Sequence, residues 1–204
     1  MKNNRKKKER TSTIEGSLLA ETKKYTYKLV VVGDPSVGKT SLIRRYADKK
    51  FDESYLPTIG ADFTIKQIDL EEDNIVRQIM LTIWDMGGHV GFQRIRDLYY
   101  PGANVSLVVF DLTVRETFEH VESWLEDVKS HCGEDIPVIV LANKNDLPDR
   151  AVSQDEIDAF ASNKSVKIFE TSAKTGENIE NVFELIAKLC YESYDTRSES
   201  DEER

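Results

Sequence analysis

Residues Gly33–Thr40 read GDPSVGKT and fit the spacing G-x-x-x-x-G-K-[ST]. Each fixed position has a physical task. The glycines let the backbone wrap closely around a phosphate, whose charge is met by N–H groups and by the N-terminus of a following helix. Lys39 can reach the β- and γ-phosphates, and the Thr40 hydroxyl can ligate Mg2+. The loop Gly33, Asp34, Pro35, Ser36, Val37, Gly38, Lys39 and Thr40, with Ser41 behind it, is expected to hold a nucleoside triphosphate.

A second pair of segments bears on which base that nucleotide carries. Asn143–Asp146 reads NKND and follows a strand-like apolar run, the place where α/β sheets present ligand-binding loops. A carboxylate accepts two hydrogen bonds, and guanine offers N1–H and N2–H2 side by side where adenine does not. Asp146 is therefore the expected guanine selector, with Asn143 in the same loop and the Lys144 stem lying on the base. After one more strand-like run comes TSAK, Thr171–Lys174, where backbone N–H groups at Ser172, Ala173 and Lys174 are expected to meet the guanine O6.

These loops need a scaffold to bring them together, and the pattern supplies one. YTYKLVVVG, from Tyr25, is a β-rich run stopped by glycine, and Thr40–Asp48 reads as helix. ADFTIKQIDL and IVRQIMLTIWD flank the polar stretch Glu71–Asn74 as a hairpin. Asn104–Leu112 and Pro137–Asn143 are continuous apolar runs of the kind buried in parallel sheets. A helix is expected around Thr117–His131, and another after Ser153, which has Glu156 at capping-box spacing. VKIFET makes a last strand, and Asn178–Tyr191 a last helix. Strands alternating with helices predict a doubly wound α/β domain, a six-stranded, mostly parallel sheet flanked by helices. Asp111 falls at a strand end, where a capping use is expected rather than a catalytic one.

The composition fits one domain with polar ends. Of 204 residues, 39% are hydrophobic and 32% charged, enough apolar material for a real core. Residues 1–24 form a basic polar arm, 25–191 the domain, and 192–204 an acidic tail, both ends expected to lack regular structure. The net charge is −9 despite the basic arm, so a specific nucleic-acid binder is excluded; residues 2–10 offer at most weak contact with an anionic surface. Cys132 and Cys190 form no disulfide framework. There is no apolar run of membrane-spanning length and no signal-peptide core, so a cytoplasmic protein, transiently at a membrane surface, is expected. Lys2 follows the first Met, and Cys190 is followed by fourteen residues, so neither a myristoyl nor a prenyl anchor is expected.

From Tyr25 to Tyr191 the sequence resembles the small Ras-like GTPases, and within them the Rab branch. Besides GDPSVGKT, NKND and TSAK, FDESYLPTIG (Phe51–Gly60) looks like the first switch region of that family and WDMGGH (Trp84–His89) like the second. IGADF, LYYPGA and LVVFDL look Rab-like in particular. The resemblance implies the P-loop GTPase fold, bound GTP or GDP with Mg2+, and slow GTP hydrolysis in a guanine-nucleotide switch for trafficking or signalling. By the same resemblance, Phe51 would pack on the guanine or ribose and Tyr55 would cover the phosphates. Thr58 would ligate Mg2+ and sense the γ-phosphate, Asp85 would hold Mg2+ through water, and Gly88 N–H would bind the γ-phosphate. His89 would place the attacking water. Phe63, Trp84 and Tyr99 would form an effector surface. Effectors, exchange factors and GTPase-activating proteins would use residues 51–63 and 85–100.

Four features depart from the family pattern. Pro35 stands where relatives carry glycine or serine, and the second switch reads DMGG rather than DTAG. His89 replaces the usual glutamine, and the sequence ends SESDEER with no cysteine motif. Proline removes one N–H and fixes φ. Pro35 and His89 together leave an alternative reading, a GTP-binding interaction module with negligible intrinsic hydrolysis.

Overall fold

The apolar run VSLVVFD forms β4 (Val105–Asp111), buried at every position, because a strand inside a parallel sheet is covered on both faces. The computed structural model describes residues 21–52, 57–72, 75–89 and 97–202. Around β4 the chain builds β1 (Glu21–Val32), α1 (Lys39–Asp48), β2 (Ala61–Glu72) and β3 (Ile75–Met86). After β4 come α2 (Arg115–Glu119), α3 (Val121–Cys132), β5 (Val138–Asn143), α4 (Gln154–Lys164), β6 (Lys167–Thr171) and α5 (Ile179–Glu202). The strands form one sheet in the order β2-β3-β1-β4-β5-β6, and only the β2–β3 pair is antiparallel.

Alternation along β1 divides the core. Leu29 and Val31 point to the face covered by α1 and α5, where they meet Ile83, Tyr46 and Phe183. Val30 and Val32 point to the other face, against Val108, Val128 and Ile157. The Tyr46 and Phe183 rings stack with centroids 3.7 Å apart, fixing α1 to α5. Helix α4 starts at the expected capping box: Ser153 Oγ accepts from Glu156 N, and Glu156 Oε2 accepts from Ser153 N at 3.0 Å.

Three boundaries differ from the sequence expectation. Strand β1 begins at Glu21 rather than Tyr25, because Glu21–Lys24 pair with Ile75–Gln78 of the long β3; a polar stretch held by backbone pairing shows no hydrophobic period. The segment around Thr117–His131 is two helices, with His120 as the C-cap of α2 and the N-cap of α3. Helix α5 continues past Tyr191 to Glu202, since Glu192–Glu202 contains neither glycine nor proline to stop it.

The topology explains the site's place. Strand β1 lies between β3 and β4, so the chain leaves its C-terminal end towards one side and returns on the other. That reversal opens a crevice at the C-terminal edge. The C-terminal ends of β1, β3, β5 and β6 all point there, carrying Gly33, Asp85, Asn143 and Thr171 towards one place.

Candidate nucleotide site

The loop after β1 is shaped by its glycines. Gly33 has φ 137° and lies so close to β4 that an added Cβ would sit 2.1 Å from Val109 O. Gly38 has φ 97°, and a Cβ there would sit 2.4 Å from Asn143 Nδ2. Helix α1 then starts at Gly38 with no side-chain cap and no acidic residue in its first turn, which leaves its N–H groups and dipole for an anion. Lys39 is buried and its Nζ donates to Gly33 O at 2.8 Å and Asp34 O at 2.7 Å, so the cation is held inside the loop.

Beside the loop, three oxygen-bearing side chains converge. Thr40 Oγ1 lies 2.9 Å from Thr58 Oγ1 and donates to Asp85 Oδ2; Thr58 Oγ1 is 3.5 Å from the same carboxylate oxygen. Asp85 is 4% exposed, and its second oxygen, Oδ1, is buried without a hydrogen-bond partner among the described residues. Burial pushes the Asp85 carboxyl above the usual carboxylate range, against the pull of the Thr40 hydroxyl and the Lys39 charge. A hard divalent cation takes oxygen ligands and would reverse that shift. The donor set and the orphaned oxygen therefore fit Mg2+.

At the far end, Asn143 joins the Asn143–Asp146 and Thr171–Lys174 loops to the Gly33–Thr40 loop. Its Nδ2 donates to Val37 O at 2.8 Å, while Oδ1 accepts from Ala173 N at 3.3 Å and from Thr171 Oγ1 at 3.4 Å. Lys144 takes a left-handed backbone, φ 67°, and its Nζ pairs with Asp111 Oδ2 at 2.6 Å. That pairing lays the Lys144 stem across the loop. Ser172 Oγ donates to Asp146 Oδ1 at 2.6 Å, so one carboxylate oxygen is used within the protein.

One cavity of about 510 Å3 runs between these corners. Of the residues singled out from sequence, Pro35, Ser36, Gly38, Lys39, Thr40, Ser41, Phe51, Thr58, Gly88, His89, Asn143, Lys144, Asp146, Ala173 and Lys174 line it. Gly33, Val37 and Ser172 lie behind the wall and contribute through backbone or a neighbour, as Asp85 does through Thr40. Tyr55 lies outside the described residues. The Asp34 side chain turns from the cavity to α3, where Trp124 Nε1 and His120 Nδ1 each meet a carboxylate oxygen at 2.7 Å, which leaves its backbone in the loop. Gly88 rests directly on the phosphate loop, where a Cβ would come 2.5 Å from Gly33 O and 2.6 Å from Pro35 N.

The aromatic row assembles on the surface. Phe63 and Trp84 face each other across β2 and β3 with ring centroids 5.6 Å apart, and Trp84 lies 5.0 Å from Tyr99. Trp84 and Tyr99 pack against the core, whereas Phe63 is 60% exposed, with Ile65 exposed on the same strand face.

Sequence reasoning missed Arg44, Lys50, Asp52 and Leu147, which also line the cavity. Arg44 was accessible in principle, since it lies one helical turn after Thr40 on α1. The Lys144 partner, Asp111, was signalled only by strand register: Asp111 and Asn143 are neighbours across β4 and β5. Asp111 keeps a strand-end role as well, accepting from Thr113 N at 2.9 Å.

A sequence model of the Ras family matches residues 28–192, from the middle of β1 into α5, and so covers the whole constellation. The chain belongs to the Ras family of small GTPases.

Proposed function

We propose that the protein is a guanine-nucleotide switch of Rab-like type, which holds GTP or GDP with Mg2+ and hydrolyses GTP slowly. The observation that carries this is the single cavity that brings Lys39 and the α1 N-terminus, the Thr40–Thr58–Asp85 corner and Asp146 to one ligand-sized space. Asp146 binds the guanine edge, and Lys144 and Phe51 sandwich the ring. Lys39 turns from the loop carbonyls to the β- and γ-phosphates. Thr40, Thr58 and Asp85 are the residues that would hold Mg2+, which would supply neutralisation of charge on the phosphate oxygens.

Hydrolysis transfers the γ-phosphoryl group to water, and positioning with charge stabilisation supplies most of the rate. His89 lines the cavity beside Gly88, and this reading gives it the task of orienting the attacking water, since an imidazole can both donate and accept. Segment 51–57 contains no arginine, so no residue just ahead of Thr58 supplies a stabilising charge in cis, and a partner's charge is expected to speed turnover. Loss of the γ-phosphate releases Thr58 and Gly88, which are the moving contacts of the switch. The exposed Phe63 edge of the aromatic row supports a Rab-like effector surface, and the protein acts in the cytoplasm or transiently at a membrane. Among the described residues no helix is long and apolar enough to cross a membrane.

Titration of nucleotide-free protein with GDP, GTP, ADP and ATP, in Mg2+ and in EDTA, tests the reading. Tight guanine binding that weakens without Mg2+ supports it. Equal adenine and guanine affinity overturns it.

A further inference from the structure

The residue before a proline is pushed out of the helical region, and the proline itself donates no hydrogen bond. Asp34 and Pro35 therefore give the phosphate loop a stiff entry with one N–H fewer. The loop is compensated from elsewhere. Asp34 Oδ1 accepts from Trp124 Nε1 and Oδ2 pairs with His120 Nδ1, both at 2.7 Å, while the Asp34 carbonyl accepts from Lys39 Nζ at the same distance. The Asp34 side chain is 16% exposed and that of His120 49%. Gly88 lies against the same peptide, its virtual Cβ 2.5 Å from Asp34 C. One residue thus ties α3, the phosphate lysine and the second switch glycine together.

We propose that His120 and Trp124 are positioning residues for the bound phosphates, acting through the Asp34 carboxylate to hold the phosphate loop and Lys39 in register. The proposal rests on the guanine-nucleotide reading above. It also makes nucleotide retention depend on pH. The His120 pKa is raised, chiefly by its hydrogen bond to Asp34, which outweighs the opposing effect of burial; the charges of Asp34, Glu116 and Glu119 add to it. The charged groups acting on the ring are Asp34 of the loop and Glu116 and Glu119 of α2; Lys39 bonds the Asp34 carbonyl rather than its carboxylate. A protonated imidazole grips the carboxylate with a charge-assisted bond, and the grip weakens as pH rises through the elevated pKa.

The test is dissociation of a fluorescent GDP analogue from the full chain between pH 5.5 and 8.0. His120→Ala and Trp124→Phe should each speed dissociation by roughly 5- to 30-fold at pH 6, the scale of one charge-assisted hydrogen bond. Trp124→Phe keeps an aromatic ring in the core and removes the indole N–H donor, and thermal melts confirm that each variant is folded. In an Asp34→Ala background neither substitution should have further effect, because both act through that carboxylate. His120→Gln keeps a donor and should abolish the pH dependence seen in the parent. Parent-like dissociation in both single variants, or a parent-like pH profile in His120→Gln, overturns the proposal while leaving nucleotide binding intact. If the parent itself fails to retain the GDP analogue, the guanine-nucleotide reading fails first.

Discussion

Replacing Asp146 with Asn should move base preference from guanine towards xanthine. Ser172 Oγ donates to Asp146 Oδ1 at 2.6 Å, and in the variant it will keep the amide oxygen on its own side. The amide NH2 is then turned to the base, where it meets the guanine N1–H and 2-amino donors instead of accepting from them. The loss combines a charge-assisted hydrogen bond with an unmatched buried donor, roughly 2–4 kcal/mol, or about 30- to 1000-fold in GDP affinity. Xanthine carries a carbonyl at position 2, which accepts from that NH2, so XDP should lose far less or gain. The Ser172 bond survives, so stability should change little. Parallel titrations of parent and variant with GDP and XDP read the effect. An unchanged GDP affinity, or equal losses for both nucleotides, would refute the placement of the base against Asp146.

Other expectations follow from the same geometry. His89→Ala should slow partner-stimulated hydrolysis by about 100-fold or more while leaving GTP affinity nearly unchanged, as measured by phosphate release and titration. Ser153→Ala removes the α4 cap and should lower stability by about 1 kcal/mol, roughly 2–4 °C in Tm for a domain of this size, without altering GDP binding. Glu156 is held down to about 2, mainly by its hydrogen bond with Arg115 and then by Ser153. A depressed folded-state pKa stabilises above the ordinary carboxylate value, so the benefit is lost as pH falls from about 4.5 towards 2. The Tm gap between parent and Glu156→Gln should therefore be present at pH 6 and close on acidification; a gap independent of pH would contradict the ion-pair account.

The fold was legible because its signals are local and mutually consistent. The buried runs at Val105–Asp111 and Val138–Asn143 and the polar interruption between the hairpin strands name their own element types. The Ser153–Glu156 box does the same for α4. The ends were less legible, because Glu21–Lys24 owe their strand to β3 across the sheet and α5 simply meets no stop signal. In the site, the glycines and Lys39 could be read from spacing because backbone approach to phosphate demands them. The contacts between segments could not. Asp34 with His120 and Trp124 spans separations of 86 and 90 residues, and Lys144 finds Asp111 only because their strands are adjacent. Such pairs have no periodicity, and only the sheet order creates them.

The central claim is that one cavity binds GTP with Mg2+ and slowly hands its γ-phosphoryl group to water. A single-turnover assay of purified protein preloaded with GTP, with ATP as the parallel substrate and Mg2+ present or chelated, tests it most directly. The account predicts slow, Mg2+-dependent release of one phosphate per bound GTP and none from ATP. Equal release from ATP would contradict the guanine site, and no release from GTP above the uncatalysed rate would contradict the switch that turns itself off.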